Sequence, residues 1–325
     1  MTQKPVSVLI CERFATEALI ELKKSNILQV QSYREDLLST AQALIIRSQF
    51  KINAELLHKA TDLKLIVTAT SGYDHIDLAE TEKRNITVMY TPEANAMSAA
   101  ELTWALVLSC CRQVSAGFRE VKSGDWRRDS LISSEIHGKT LGLVGLGRIG
   151  QRVARIASAF DMPVLAFDPY QTDEAFKKSG AERVSYEEVL KQSDILSFHV
   201  PLTFETKNMF NRSQIEYVSP DLILVNTSRG GVINEEDLAQ ALLDKKIKCA
   251  GLDVFSKEPL PRDAKILKCP NVVLTPHLGA YTHEAFLKAS LSAAHLVLNF
   301  FENHQTQNTL PLKNDWGKLS FAERT

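Results

Sequence analysis

The chain has 325 residues, long for a single hydrophobic core, so two domains is the prior expectation. Hydrophobic residues make up 44% and charged residues 24%, ordinary for a soluble globular enzyme, and a net charge of -1 gives no field that would draw nucleic acid or an anionic membrane. The apolar run at 102–111 is too short to cross a bilayer, the N-terminal segment lacks signal-peptide features, and the five cysteines are odd in number with no CxxC, so the expectation is a cytoplasmic chain without membrane contact, disulfide or metal.

Short apolar runs alternate with amphipathic segments over residues 5–95. Strands are expected at 5–10, 27–31, 43–46, 64–68 and, last in this region, 86–89, with helical spacing at 17–24 and 54–59. Such alternation argues for a parallel sheet with helices on both faces. Residues 98–121 read as one long helix joining two domains, broken by Ser123-Gly124-Asp125-Trp126. The strand–helix pattern resumes with strands at 141–145, 164–167, 195–199, 222–226, 249–253 and 272–275, a further short piece at 183–185, and helices such as 186–191 and 235–244. A final helix near 284–302 is long enough to return to the first domain, and the polar tail keeps one apolar patch at Leu310-Pro311-Leu312. The expected fold is α/β, with two doubly wound parallel-sheet domains: a Rossmann-type dinucleotide domain at 98–283 inserted into a flavodoxin-like substrate domain at 1–97 and 284–325.

The inserted domain opens on a strand followed at once by Gly145-Leu146-Gly147-Arg148-Ile149-Gly150 and a run of helical periodicity. In a dinucleotide-binding turn the glycines have separate tasks: Gly145 permits the turn, Gly147 lets the backbone approach a pyrophosphate, and Gly150 lets helix pack on strand. A lone GxGxxG is weak evidence. Here a second apolar run ends in Asp168, 18 residues after Gly150, where the fingerprint expects an acid for a ribose diol. A carboxylate there repels a ribose phosphate, which implies NAD over NADP.

Ligands of open parallel sheets bind beyond the carboxyl ends of the strands. The strand ends of the inserted domain carry Arg229 in Ser228-Arg229-Gly230-Gly231, Glu258 just beyond Asp253-Val254-Phe255, and His277 in Pro276-His277-Leu278-Gly279. That is a fixed cation, an acid and a base on one rim. His277 can act as general acid/base, a neighbouring carboxylate favours imidazolium, and a guanidinium grips a carboxylate with two-point geometry. Taken singly, each is more often structural or solvated, as expected for His75, His137 and His199; the weight lies in three such residues at three strand ends.

With these motifs, and with His199-Val200-Pro201-Leu202-Thr203, Asn226-Thr227-Ser228-Arg229-Gly230 and Gly251-Leu252-Asp253-Val254-Phe255, the chain resembles the D-2-hydroxyacid dehydrogenase family over nearly its whole length. The resemblance implies NAD-dependent hydride transfer at a small 2-hydroxy or 2-keto acid, with Arg229, Glu258 and His277 catalytic. It implies that Asp253 meets the nicotinamide amide, that Asp168 takes the adenosine ribose, that Arg148 and Ile149 lie along the pyrophosphate, and that His199, Val200, Pro201 and Thr227 also line the cofactor. It places the amides of Ser71 and Gly72 on the substrate carboxylate and makes 98–121, with the Trp126 loop, a homodimer contact.

Within the family, the stretches 95–102, 124–128 and 276–285, with Arg47-Ser48, are similar to D-3-phosphoglycerate dehydrogenases, and Arg47 is a candidate substrate contact. One position departs: those enzymes commonly carry an Arg where Thr68 stands, which leaves Arg47 and Arg128 as cations for a phosphate. The Ser71–His75 stretch is also similar to hydroxypyruvate and glyoxylate reductases, and some relatives work as NAD-sensing interaction modules.

Overall fold

The computed structural model describes residues 5–310; Pro311 and Leu312 of the expected apolar patch lie outside the described residues. The described residues divide into two compact units, the first formed by 5–96 with 280–310 and the second by 97–279.

Unit 1 begins β1 (Val6–Ile10), α1 (Thr16–Lys23), β2 (Leu28–Ser32), β3 (Ala43–Ile46), α2 (Ala54–Lys59), β4 (Leu65–Thr68), α3 (Leu78–Lys83) and β5 (Thr87–Tyr90). β3 and β4 are buried along their whole length, as expected of a sheet covered on both faces. Caps mark the helices: the Asn53 side chain accepts from Leu56 N, and Asp77 accepts from Glu80 N.

The chain then forms α4 (Ala96–Arg112) and α5 (Val114–Lys122), β6 (Leu141–Val144), α6 (Arg148–Ala157), β7 (Val164–Phe167), α7 (Asp173–Ser179), β8 (Glu182–Arg183) and α8 (Tyr186–Gln192). β9 (Ile195–Phe198), α9 (Arg212–Ile215), β10 (Ile223–Asn226), α10 (Glu235–Leu243), β11 (Cys249–Leu252) and β12 (Val272–Leu274) complete unit 2. α11 (His283–Glu302) and β13 (Thr309–Leu310) belong to unit 1.

The first sheet has the order β13-β5-β4-β3-β1-β2, so its five parallel strands run 2-1-3-4-5, the flavodoxin-like arrangement. The second runs β12-β11-β10-β9-β6-β7-β8, which is the dinucleotide-binding order with one strand more at the β12 edge. Every pair in the second sheet is parallel.

Two expectations are corrected. The long helix at 98–121 is two helices. Gln113 takes the left-handed conformation (φ 50), which ends the α4 ladder, and its Nε2 donates to Ile132 O at 2.7 Å. The change of direction follows burial: α4 contributes Trp104, Val107 and Cys111 to the core, whereas α5 has no buried residue. The first sheet is not wholly parallel either. β13 pairs antiparallel with β5 and brings Leu310 into the core of unit 1. Two residues carry no periodicity from which to read a strand.

The ends of unit 2 are tied to each other. Ser98 Oγ donates to Gly279 O at 2.8 Å, and a Cβ on Gly279 would touch that of Ala99. Among the described residues, no helix is long and apolar enough to cross a membrane, and no cluster of His, Cys, Asp or Glu could hold a metal ion.

Candidate active site

The order of the second sheet reverses between β6 and β9, and the crevice outside their carboxyl ends is where this architecture takes a ligand. Gly145 follows β6 with φ 97, and a Cβ there would lie 2.6 Å from His199 O at the end of β9. A Cβ on Gly150 would lie 2.3 Å from Gly145 O. So two of the three glycines are demanded by close backbone approach. Gly147 differs: it caps α6, and a Cβ there meets no protein atom within 4 Å. The ten-residue helix α6 therefore presents its N-terminal amides across bare backbone, the cradle a pyrophosphate requires.

Asp168, at the end of β7, is buried. One carboxylate oxygen accepts from Leu146 N at 2.8 Å, inside the glycine turn; the other accepts from Tyr170 N at 2.9 Å and Gln171 N at 3.2 Å. Burial pushes its pKa up, and the three N–H bonds oppose that rise. Asp168 thereby shapes the turn as well as offering remaining lone pairs to a diol.

His199 is half-buried, with its Nε2 2.9 Å from Ser197 Oγ. Burial pushes its pKa down to about 3, so the ring is neutral. Its Nδ1 is buried and has no hydrogen-bond partner. An orphaned nitrogen beside Gly145, like the bare Gly147, is a feature a bound dinucleotide would complete. Val200 is buried while Pro201 is exposed. Arg148 is exposed and Ile149 packs on the core. Thr227 is buried, its hydroxyl 2.8 Å from that of Thr103 on α4.

Arg229, Glu258 and His277 follow β10, β11 and β12, three neighbours in the sheet. His277 Nδ1 lies 2.7 Å from Glu258 Oε2, and Glu258 Oε1 accepts from Phe255 N at 3.0 Å. Both side chains reach solvent, at 47% and 36% relative exposure, so a substrate can reach the imidazole. Gly230 is pressed on the same segment: a Cβ there would lie 1.9 Å from the carbonyl carbon of Phe255. Asn226 braces Arg229, donating through Nδ2 to Arg229 O at 2.9 Å and accepting from Ser228 N at 3.0 Å. Arg229 Nη1 donates to Ser228 O at 2.7 Å.

Asp253 is fully buried, and its carboxylate holds the loop that carries His277. Oδ1 accepts from Thr275 Oγ1 at 2.6 Å and Leu278 N at 2.7 Å; Oδ2 accepts from Gly279 N at 2.9 Å. His277 N donates to Asp253 O at 2.9 Å. These bonds hold His277 at φ 56, a left-handed conformation uncommon for a non-glycine residue. The brace from Thr275 and the bracing by Asn226 and Thr103 carry no signal in one sequence, because each partner is an ordinary polar residue.

Unit 1 carries the residues expected at the substrate. Thr68 is fully buried, its Oγ1 2.6 Å from Thr70 Oγ1 and 3.1 Å from His75 Nε2. Thr70 Oγ1 in turn donates to Gly72 O at 2.7 Å. Ser71 Oγ lies against Pro92 O at 3.1 Å and against the Asn95 side chain. Thr68 and His75 thus set the shape of the Ser71–Gly72 turn. Arg47 follows β3, with its backbone N donating to Glu12 Oε2 at 2.5 Å. Glu12, which reading only the strand ends of the inserted domain overlooks, is what shapes that loop. Arg128 is exposed on the short turn Arg128–Leu131.

A sheet of this order, with this turn at its point of reversal, defines a dinucleotide-binding α/β protein. Residues 104–279, more than half the chain, match the family described as D-isomer specific 2-hydroxyacid dehydrogenase, NAD binding domain. The chain is 38% identical over 320 residues to a D-3-phosphoglycerate dehydrogenase of Bacillus subtilis, covering 96% of this chain and 61% of that protein. It is 38% identical to a hydroxypyruvate reductase of Thermotoga maritima, covering 84% of this chain and 90% of that protein. The crystal structure of D-lactate dehydrogenase from Aquifex aeolicus complexed with NAD and lactic acid superposes with a TM-score of 0.81 at 31% identity, over 91% of this chain and 96% of that one. The chain belongs to the D-isomer specific 2-hydroxyacid dehydrogenase family, and its cofactor is NAD. It spans about three fifths of the length of the curated phosphoglycerate relatives it matches.

Proposed function

We propose that the protein is an NAD-dependent dehydrogenase of D-2-hydroxy acids, acting on D-3-phosphoglycerate and 3-phosphohydroxypyruvate, a reaction that would serve serine biosynthesis. The observation that carries the reading is the His277–Glu258 pair on the strand end next to Arg229, in a unit built for a dinucleotide. Bound NAD supplies the acceptor for hydride from the carbon bearing the hydroxyl. The protein's own groups do the rest. His277 takes the hydroxyl proton in oxidation and returns it to the carbonyl oxygen in reduction. Glu258, held by Phe255 N, orients the imidazole and stabilises its charged form. Arg229 grips the carboxylate and polarises the carbonyl.

Gly145, Gly147, Arg148, Ile149 and Gly150 would hold the pyrophosphate, Asp168 the adenosine ribose, and His199, Val200, Pro201, Thr227 and Asp253 the remainder of the cofactor. Arg47 and the amides of Ser71 and Gly72 are assigned to substrate anions. The exposed stripe of Val114, Phe118 and Val121 on α5 supports a homodimer through this face. A second reading, hydroxypyruvate or glyoxylate reductase, draws on Thr68, which puts no cation on the substrate turn.

The experiment is NADH oxidation with phosphohydroxypyruvate, hydroxypyruvate and glyoxylate side by side, on protein whose solution mass has been measured. Preference for the phosphorylated acid supports the first reading and preference for either other acid the second. Absence of turnover across a wider 2-keto acid panel favours an NAD-sensing module, and a monomeric mass overturns the dimer.

A further inference from the structure

The first sheet also has a point of reversal, between β1 and β3. The residues just outside it are Cys11-Glu12-Arg13 and Arg47-Ser48. The Glu12 carboxylate accepts from the backbone N of Arg47, Gln49 and Phe50 rather than from a guanidinium, though its charge still favours the Arg47 cation. The two guanidiniums share one ring instead. Arg13 Cζ is 5.8 Å and Arg47 Cζ 5.0 Å from the centroid of Phe286, on the second turn of α11. Arg47 Nη1 is buried with no hydrogen-bond partner. Burial is the main influence on the Arg47 pKa and lowers it; the Glu12 carboxylate opposes that fall and Arg13 adds to it. A buried guanidinium nitrogen without a partner, beside a second guanidinium, is a donor that an anion would complete.

A cavity of about 470 Å³ opens beside them, lined by Arg13, Thr16, Glu17, His283, Phe286 and neighbouring residues. Thr16 begins α1 and His283 begins α11, so two helix N-termini end at its wall. Glu17 is the acid on the lining, and it is exposed to solvent.

We propose that this cavity is a binding site for a phosphate monoester, the second anionic end of a phosphorylated 2-hydroxy acid, and that Arg13 is its specificity-determining residue. This rests on the phosphoglycerate reading above. It supplies the cation that Thr68 does not. A guanidinium holds a phosphate through two parallel N–H bonds, and two helix N-termini add to Arg13 and Arg47 against the carboxylates of Glu12 and Glu17.

The test is Arg13→Gln in the full chain, by steady-state kinetics with phosphohydroxypyruvate and hydroxypyruvate and by calorimetric binding of inorganic phosphate at constant ionic strength. A lost charge-assisted pair predicts that the KM for the phosphorylated acid rises at least about ten-fold relative to that for hydroxypyruvate. Phosphate binding by the variant falls in step. An equal change for both acids, or phosphate binding that ignores the substitution, overturns the site. A wild type that binds phosphate through Arg13 but does not reduce the phosphorylated acid supports the site and overturns the substrate reading. A wild type that reduces the phosphorylated acid, with an unchanged KM ratio in the variant, overturns the site alone.

Discussion

The two sheets reverse their strand order at crevices of opposite character. In unit 2, between β6 and β9, the buried Asp168 is held by three backbone amides, and the neutral His199 meets Ser197 through one ring nitrogen and leaves the other open. In unit 1, between β1 and β3, two arginines crowd one ring and a buried guanidinium nitrogen has no partner. The contrast suits the ligands proposed. A dinucleotide is met largely by backbone, so its crevice is shaped by glycine and pinned amides. A small dianion is met by side-chain charge, so its crevice gathers guanidiniums.

The largest effect expected from perturbing unit 2 is at His277. His277→Ala should lower kcat by about 10²–10⁴-fold, the usual range for loss of a general acid/base, with NADH affinity within about two-fold by fluorescence titration. Turnover surviving near the wild-type rate would remove His277 from the mechanism.

Asp253→Asn comes next. Asparagine sets an N–H₂ against one of the donors that Asp253 now accepts from, Thr275 Oγ1, Leu278 N and Gly279 N. Stability should fall by about 1–3 kcal/mol in urea titration. If Asp253 acts by positioning His277, kcat falls and the Kd for NADH holds. A rise in that Kd of about ten-fold would instead assign Asp253 to the nicotinamide amide.

The smallest effect is a pH slope. His199 has a folded pKa of about 3, below its unfolded value, so the unfolded chain binds the proton more readily. Its contribution to stability is present above about pH 6.5 and is lost as pH falls toward 3. Between pH 8 and 5 the loss is up to about 2 kcal/mol. His199→Gln should flatten the unfolding free energy against pH by that amount; parallel curves for the two proteins would refute a neutral buried ring.

How much of this was readable in the sequence follows the same contrast. Gly145 and Gly150 are forced by carbonyls a Cβ would strike, and such demands leave one residue type at a fixed spacing. The alternation of strand and helix was equally plain, and with it the strand ends carrying Arg229, Glu258 and His277. Hidden were contacts set by the fold across long separations. The Thr275 hydroxyl on Asp253 and Thr103 on Thr227 involve residues with no distinguishing type. Arg13 and Arg47 share a ring only because Phe286 arrives from the far end of the chain. The break at Gln113 was hidden for another reason: glutamine is a good helix former, and the turn comes from where the core ends.

The bond between Ser98 and Gly279 bears on how such a molecule could be assembled in evolution. Unit 2 leaves the chain almost where it entered, with hydroxyl and carbonyl oxygens 2.8 Å apart. To the host, a stretch of more than 180 residues is then a loop with closed ends, and a folded insert removes nearly all the closure entropy a floppy one would impose. A cofactor module with its terminals fastened together in this way is portable. It can be spliced into a surface turn of another sheet without asking that sheet to fold differently.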